Sequence, residues 1–107
     1  MPSNIDSVSA SENNTHAINA CAQQDYEAAD RALNVEYRKT RARLPALAQA
    51  VLLAEQRAWL KARDPDCQQA LESEEGGSIW TSLYTHCLAE ATRERTAQLR
   101  TWKRKTP

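Results

Sequence analysis

The residues of this chain whose side chains are reactive in themselves are Cys21, Cys67, Cys87, His16 and His86. Thiols and imidazoles support metal binding, nucleophilic catalysis or, for the thiols alone, cross-linking. A zinc site built from the three cysteines and His86 lacks the short Cys-x₂₋₄-Cys spacing of such centres. On a helix, His86 would also point about 100° away from Cys87. Neither histidine stands near a Ser or Cys nucleophile with an orienting acid, and the sequence shows no paired-carboxylate cleft and no Gly-rich phosphate loop. The chain is therefore not read as an enzyme, and no cofactor or metal is expected. The cysteines are left with two roles, a cross-link or burial as free thiols, and the elements that carry them decide between these.

Those elements are helices. The 107 residues include only two Gly and four Pro, too few turn formers for an all-β domain of this size. No run approaches the roughly 18–20 apolar residues of a membrane span. Residues 1–13 are small and polar and read as a disordered leader, without the basic start and apolar run of an export signal. From Asn14 or Thr15 to residue 105 the chain reads as a single helical domain. Ile18, Ala22, Tyr26, Ala29, Leu33, Tyr37, Thr40 and Leu44 form one helical stripe. After Pro45 a second stripe runs through Leu47, Val51, Ala54, Ala58 and Ala62, widened by Leu52, Leu53, Trp59 and Leu60. This helix should kink or restart at Asp64-Pro65. Gly76-Gly77 ends it, Ser78 is a candidate cap, and a third helix carries Ile79, Leu83, Cys87, Leu88, Ala91, Leu99 and Trp102. The fold class is all-α, a three-helix antiparallel up-down-up bundle with long helices.

Short links set the heights of residues in such a bundle. Folding about Leu44-Pro45 brings Cys21 opposite residue 68, and folding about Gly76-Gly77 brings Cys67 opposite Cys87. The favoured pairing is Cys67–Cys87, whose registration needs the shorter link, with Cys21 left as a buried thiol, a free thiol or a link to another chain. Three buried thiols remain the alternative.

Formal net charge is zero, with 14 bases and 14 acids, which argues against a general nucleic-acid binder. The charges nevertheless fall in blocks. Residues 1–30 hold five acids and no base, 31–63 eight bases and two acids, 64–90 six acids and no Lys or Arg, and 91–107 six bases and one acid. Folding gathers the acids at one end of the bundle and the bases at the other, where each also suits the helix dipoles. The acidic end, with Glu72, Glu74 and Glu75 at its corner, would steer a basic partner with a strength that falls as salt rises.

Three strings carry a resemblance: CAQQDYEAADRALNVEY from Cys21, AEQRAWLKARDPDC ending at Cys67, and EEGGSIWTSLYTHCLAEATRERTAQLR from Glu74. They resemble the N-terminal domain of the LprI-type lysozyme inhibitors, a family of small exported bacterial helical domains with many members of unknown function. The matching positions include Asp30, Leu33-Asn34, Tyr37, Gln56-Arg57, Trp59, Arg63-Asp64, Gly77-Ser78-Ile79, Thr92, Arg95 and Leu99. The resemblance spans about residues 14–101 and implies a periplasmic or secreted protein with oxidised cysteines. The family's additional cysteines, before Cys21 and after the last helix, have no counterpart here, which leaves Cys21 without an obvious mate. Among the matching polar residues, Asp30, Asn34, Arg57 and Arg63 are expected to form a structural polar network that fixes helix register. The implied partner is a lysozyme-like glycosidase, bound without chemistry through the acidic end by a monomer or weak homodimer. The alternative function is an envelope scaffold domain without lysozyme inhibition.

Overall fold

In the computed structural model of the chain, the backbone is described for residues 4–104 and the side chains for residues 15–104. Helix α1 spans Asn4–Ala42, α2 spans Ala46–Ala70 and α3 spans Trp80–Arg100, with a 3-10 turn at Glu72–Glu74 between the last two. The all-α bundle is the expected one. Its helices run up, down and up, so α1 and α3 are parallel and α2 opposes both. Contacts between Asp25 and Arg93, then Glu36 and Arg100, climb in the same direction along α1 and α3. Contacts between Glu55 and Trp102, Gln56 and Arg95, then Cys67 and Cys87 climb α2 while descending α3.

Helix α1 starts at Asn4, inside the stretch read as a disordered leader and ten residues before the expected cap. Once a helix is nucleated, each added residue costs little, so even this segment, rich in Ser and Asn and poor in strong helix formers, can extend an anchored helix. With Glu36 paired to Arg100, the start of α3 lies level with roughly residue 16, and the first three turns of α1 project past the bundle. The molecule is correspondingly elongated, 66 × 28 × 15 Å.

Helix α2 continues through Asp64-Pro65 without restarting. The proline removes only the bond to the carbonyl of Lys61, and both residues are exposed, so water can serve that carbonyl. Ser78 does not cap α3: the helix begins one residue after Ile79, with no side-chain cap.

The core uses only part of the α2 face expected to be buried. Leu33, Ala48, Leu52, Leu99 and Trp102 are buried together, with Tyr37, Leu44, Val51 and Trp59 packed around them. Leu47, Leu53 and Leu60, read as core, are exposed. Helices α1 and α3 are the most intimately packed pair. Ala29 on α1 and Ser82, Thr85, Ala89, Thr92 and Thr96 on α3 are all buried. Small side chains let the two backbones approach. Their hydroxyls are satisfied within their own helix, Thr85 to the Thr81 carbonyl, Thr92 to Leu88 and Thr96 to Thr92, so burial leaves no orphaned donor.

The helix ends near this core cap one another. Thr40 Oγ1 and Arg43 Nη2 both donate to the Leu99 carbonyl, at 3.0 and 3.3 Å, where α3 runs out of internal partners. Gln49 Nε2 on α2 does the same for α1, donating to the Arg41 and Leu44 carbonyls.

Candidate functional site

Two surfaces hold the residues singled out above. The first is the corner between α2 and α3. Gly76, at φ +85°, turns the chain there in a conformation that L residues rarely adopt. Glu72, Glu74 and Glu75 lie just before it and are all exposed. None of the three carboxylates is engaged in an ion pair or side-chain hydrogen bond among the described residues. Asp64 and Asp66, on the last turns of α2, are exposed on the approach to the corner. Asp64 accepts from Arg63 Nε at 3.0 Å. Of the five carboxylates around this corner, only that of Asp64 has an ion-pair partner among the described residues.

The second surface is the seam between α2 and α3. Cys67 and Cys87 are joined by a disulfide, with their Cα atoms 5.9 Å apart. Cys21 is a free, exposed thiol on α1, so the buried-thiol reading of that residue does not hold. Two of the four ligands of the weighed zinc site are consumed by the cross-link. Among the described residues, no group of three or more His, Cys, Asp or Glu is placed to hold a metal.

The expected network of Asp30, Asn34, Arg57 and Arg63 does not assemble. Asn34 and Arg57 are exposed, and Asp30 is half-buried with no ion pair among the described residues. Only Arg63 turns into the bundle. It donates to Thr92 Oγ1 at 3.4 Å and lies over the rings of Tyr26 and Trp59, 5.2 and 5.4 Å from their centroids. Arg63 on α2 does reach α1, as membership of a network with Asp30 and Asn34 requires. Its partner there is the ring of Tyr26 rather than the carboxylate of Asp30, because α1 turns its buried face mainly toward α3.

A second polar pair across the seam, buried on both sides, is Gln56 with Arg95. Arg95 Nε donates to Gln56 Oε1 at 2.8 Å and Nη1 to Gln98 Oε1 at 3.3 Å. Removal from water lowers the Arg95 pKa, and the nearby negative charge of Glu55 partly opposes that shift. The signal for this pair was present in the spacing. Gln56, Trp59, Arg63 and Cys67 recur at three and four on α2, and Leu88, Thr92, Arg95 and Leu99 do so on α3. Reading only apolar residues as the inward face concealed it.

On the α1–α3 side, Arg93 bridges Asp25 at 2.9 Å and also binds Glu90. That hydrogen bond holds the Glu90 carboxyl below its ordinary pKa and raises that of Arg93. The arrangement as a whole is an all-α bundle cross-linked between α2 and α3, with exposed carboxylates at the corner that joins those two helices.

Comparison with known proteins shows the family. The chain belongs to the lysozyme inhibitor LprI family, whose model matches residues 6–99. It is also 41% identical over 96 residues to an uncharacterised protein of Rhizobium meliloti (strain 1021), covering 78% of this chain and 69% of that protein. No solved structure gives a significant match. No described helix is long and apolar enough to cross a membrane.

Proposed function

We propose that this protein is an exported inhibitor of a lysozyme-like glycosidase and that it engages its target through the acidic corner. The observation that carries the reading is the combination of the family match over residues 6–99 with three exposed, internally unpaired carboxylates at one turn. Lysozymes of the common animal type are strongly basic and hydrolyse through two carboxylates in an open cleft. A corner bearing Glu72, Glu74 and Glu75 supplies the complementary potential and accelerates encounter most at low ionic strength. Inhibition needs only occlusion of the cleft. The 3-10 turn at Glu72–Glu74 and the turn at Gly76 form within the chain itself, and a docking surface already folded before binding loses less entropy on docking. The Cys67–Cys87 bond is consistent with a life outside the reducing cytosol, in the periplasm or beyond it.

The test is a cell-wall lysis assay with purified protein and a basic lysozyme. Inhibition at micromolar concentration is expected. Changing Glu72, Glu74 and Glu75 together to Lys should weaken it at least tenfold (about 1.4 kcal/mol) at low salt, with a smaller difference at high salt. Absence of inhibition by the intact protein would favour the envelope scaffold. Unchanged potency of the triple variant would move the docking surface away from the corner.

A further inference from the structure

Arg95 retains only 7% of its surface in contact with solvent, yet both of its hydrogen-bond partners are neutral amides. Its third nitrogen, Nη2, is enclosed without an acceptor. A guanidinium does not shed its proton to escape burial, so this charge is held in a setting that calls for a counter-ion. The field of Glu55 reaches it, but that carboxylate is taken by Trp102 Nε1 at 3.0 Å.

Arg95 also lines an open groove of about 310 Å³ between α2 and α3. Arg63 lines the same groove. Its Nε is used on Asp64 and its Nη1 on Thr92, which leaves Nη2 uncommitted. Trp59 and the Cys67–Cys87 bond give the groove apolar walls, while the exposed carboxylates of Asp66 and Glu94 also line it. Gln98, an exposed residue, holds the Arg95 guanidinium by the longer of its two bonds, so it is the side chain that can yield to a competing acceptor.

We propose that this groove binds a small zwitterion, an amino acid or short peptide, with its carboxylate on Arg95 and Arg63 and its ammonium group facing Asp66 and Glu94. A carboxylate is the acceptor that matches a guanidinium in both charge and geometry. The two acids penalise a bare anion and favour a ligand that carries a cation as well. The volume suits one or two residues, at the lower end of small-ligand sites.

Alanylalanine, alanylalaninamide and N-acetylalanylalanine separate the contributions when titrated into the full chain, with the Trp59 indole N–H followed by NMR. Alanylalanine should produce a saturable shift with a dissociation constant on the order of a millimolar or tighter. The amide, lacking the carboxylate, should produce none, and the acetylated peptide should bind roughly tenfold more weakly. Arg95→Met should abolish the shift while the chain stays folded, since relief of the buried charge offsets much of the cost of leaving the Gln56 amide without its partner. Arg63→Gln should weaken binding in a chain whose Arg95–Gln56 pair is intact, so a folding failure of the first variant would still leave a reading. The assignment falls if the intact protein gives no saturable shift, if the amide binds as well as the free peptide, or if Arg95→Met retains binding. Equal binding of the acetylated peptide would remove the role given to Asp66 and Glu94. None of these outcomes bears on lysozyme inhibition, which is read at the Glu72–Glu75 corner by a different assay.

Discussion

Arg95 Nε donates to Gln56 Oε1 at 2.8 Å across the α2–α3 seam, and both residues are only 7% exposed. It is a buried polar bond that joins α2 to α3 in the interior of the bundle, alongside the Cys67–Cys87 cross-link. One step along the seam, Arg63 reaches Thr92 from the same face of α2.

Removing the acceptor should therefore be costly in a way that removing the charge is not. Gln56→Leu leaves the Arg95 Nε–H buried without a partner and should destabilise the fold by about 2–3 kcal/mol. The double change Gln56→Leu with Arg95→Met should recover most of that loss, because no charge is then stranded. Urea denaturation of the two single variants and the double variant gives the coupling directly, and strict additivity would contradict a specific pair.

Reduction should loosen the acidic end selectively. The disulfide closes a segment of 20 residues that contains the Glu72–Glu74 turn. In the chain-entropy view its loss costs about 3 kcal/mol, lowering the melting temperature by roughly 12 °C or more in a domain of this size. Mass spectrometry after alkylation should find one modified cysteine without reductant, Cys21, and three with it.

Gly76→Ala should destabilise by about 1 kcal/mol. The cost is conformational rather than steric, since a Cβ there would meet nothing within 4 Å but would have to tolerate φ +85°. Thermal unfolding measures the loss. Lysozyme inhibition should weaken with it, because the same turn orients Glu74 and Glu75.

The α1–α3 seam should resist enlargement. Ala89 is fully buried, and Ala89→Leu should cost about 1–3 kcal/mol or force the two helices apart. Loss of amide-exchange protection in both helices would register the separation. A neutral effect would show that their approach is looser than described.

Acid should weaken the exposed Glu90–Arg93 pair within α3, beside the Arg93–Asp25 bridge to α1. Glu90 has its pKa held below the ordinary 4.5 by Arg93, so its contribution is present above about that value and is lost as pH falls through the depressed one. Arg93→Ala should remove this part of the acid dependence, visible as a smaller drop in melting temperature between neutral pH and pH 3.

The helical class, the up-down-up order and the pairing of Cys67 with Cys87 were all legible before any coordinates. Periodic apolar residues and Pro45 mark the helices, and a tight link at Gly76-Gly77 leaves little freedom over which heights meet. The acidic and basic blocks likewise sort to opposite ends for any chain with two short turns. Rotation of each helix about its own axis was not legible. Hydropathy placed Leu47, Leu53 and Leu60 inward along with Val51, Leu52 and Trp59, whereas packing kept Leu52, with Val51 and Trp59 around it, and added Ala48, Gln56 and Cys67. Burial depends on which neighbour a face meets, and a face of threonines and alanines can lie closer to another helix than a face of leucines can. Tertiary packing thus decided that Thr92 and Thr96 are core, that Arg95 is enclosed beside Gln56, and that Asp30 finds no arginine. Spacing along one chain encodes height within a helix, while the choice of inward face is settled only by three surfaces fitting together.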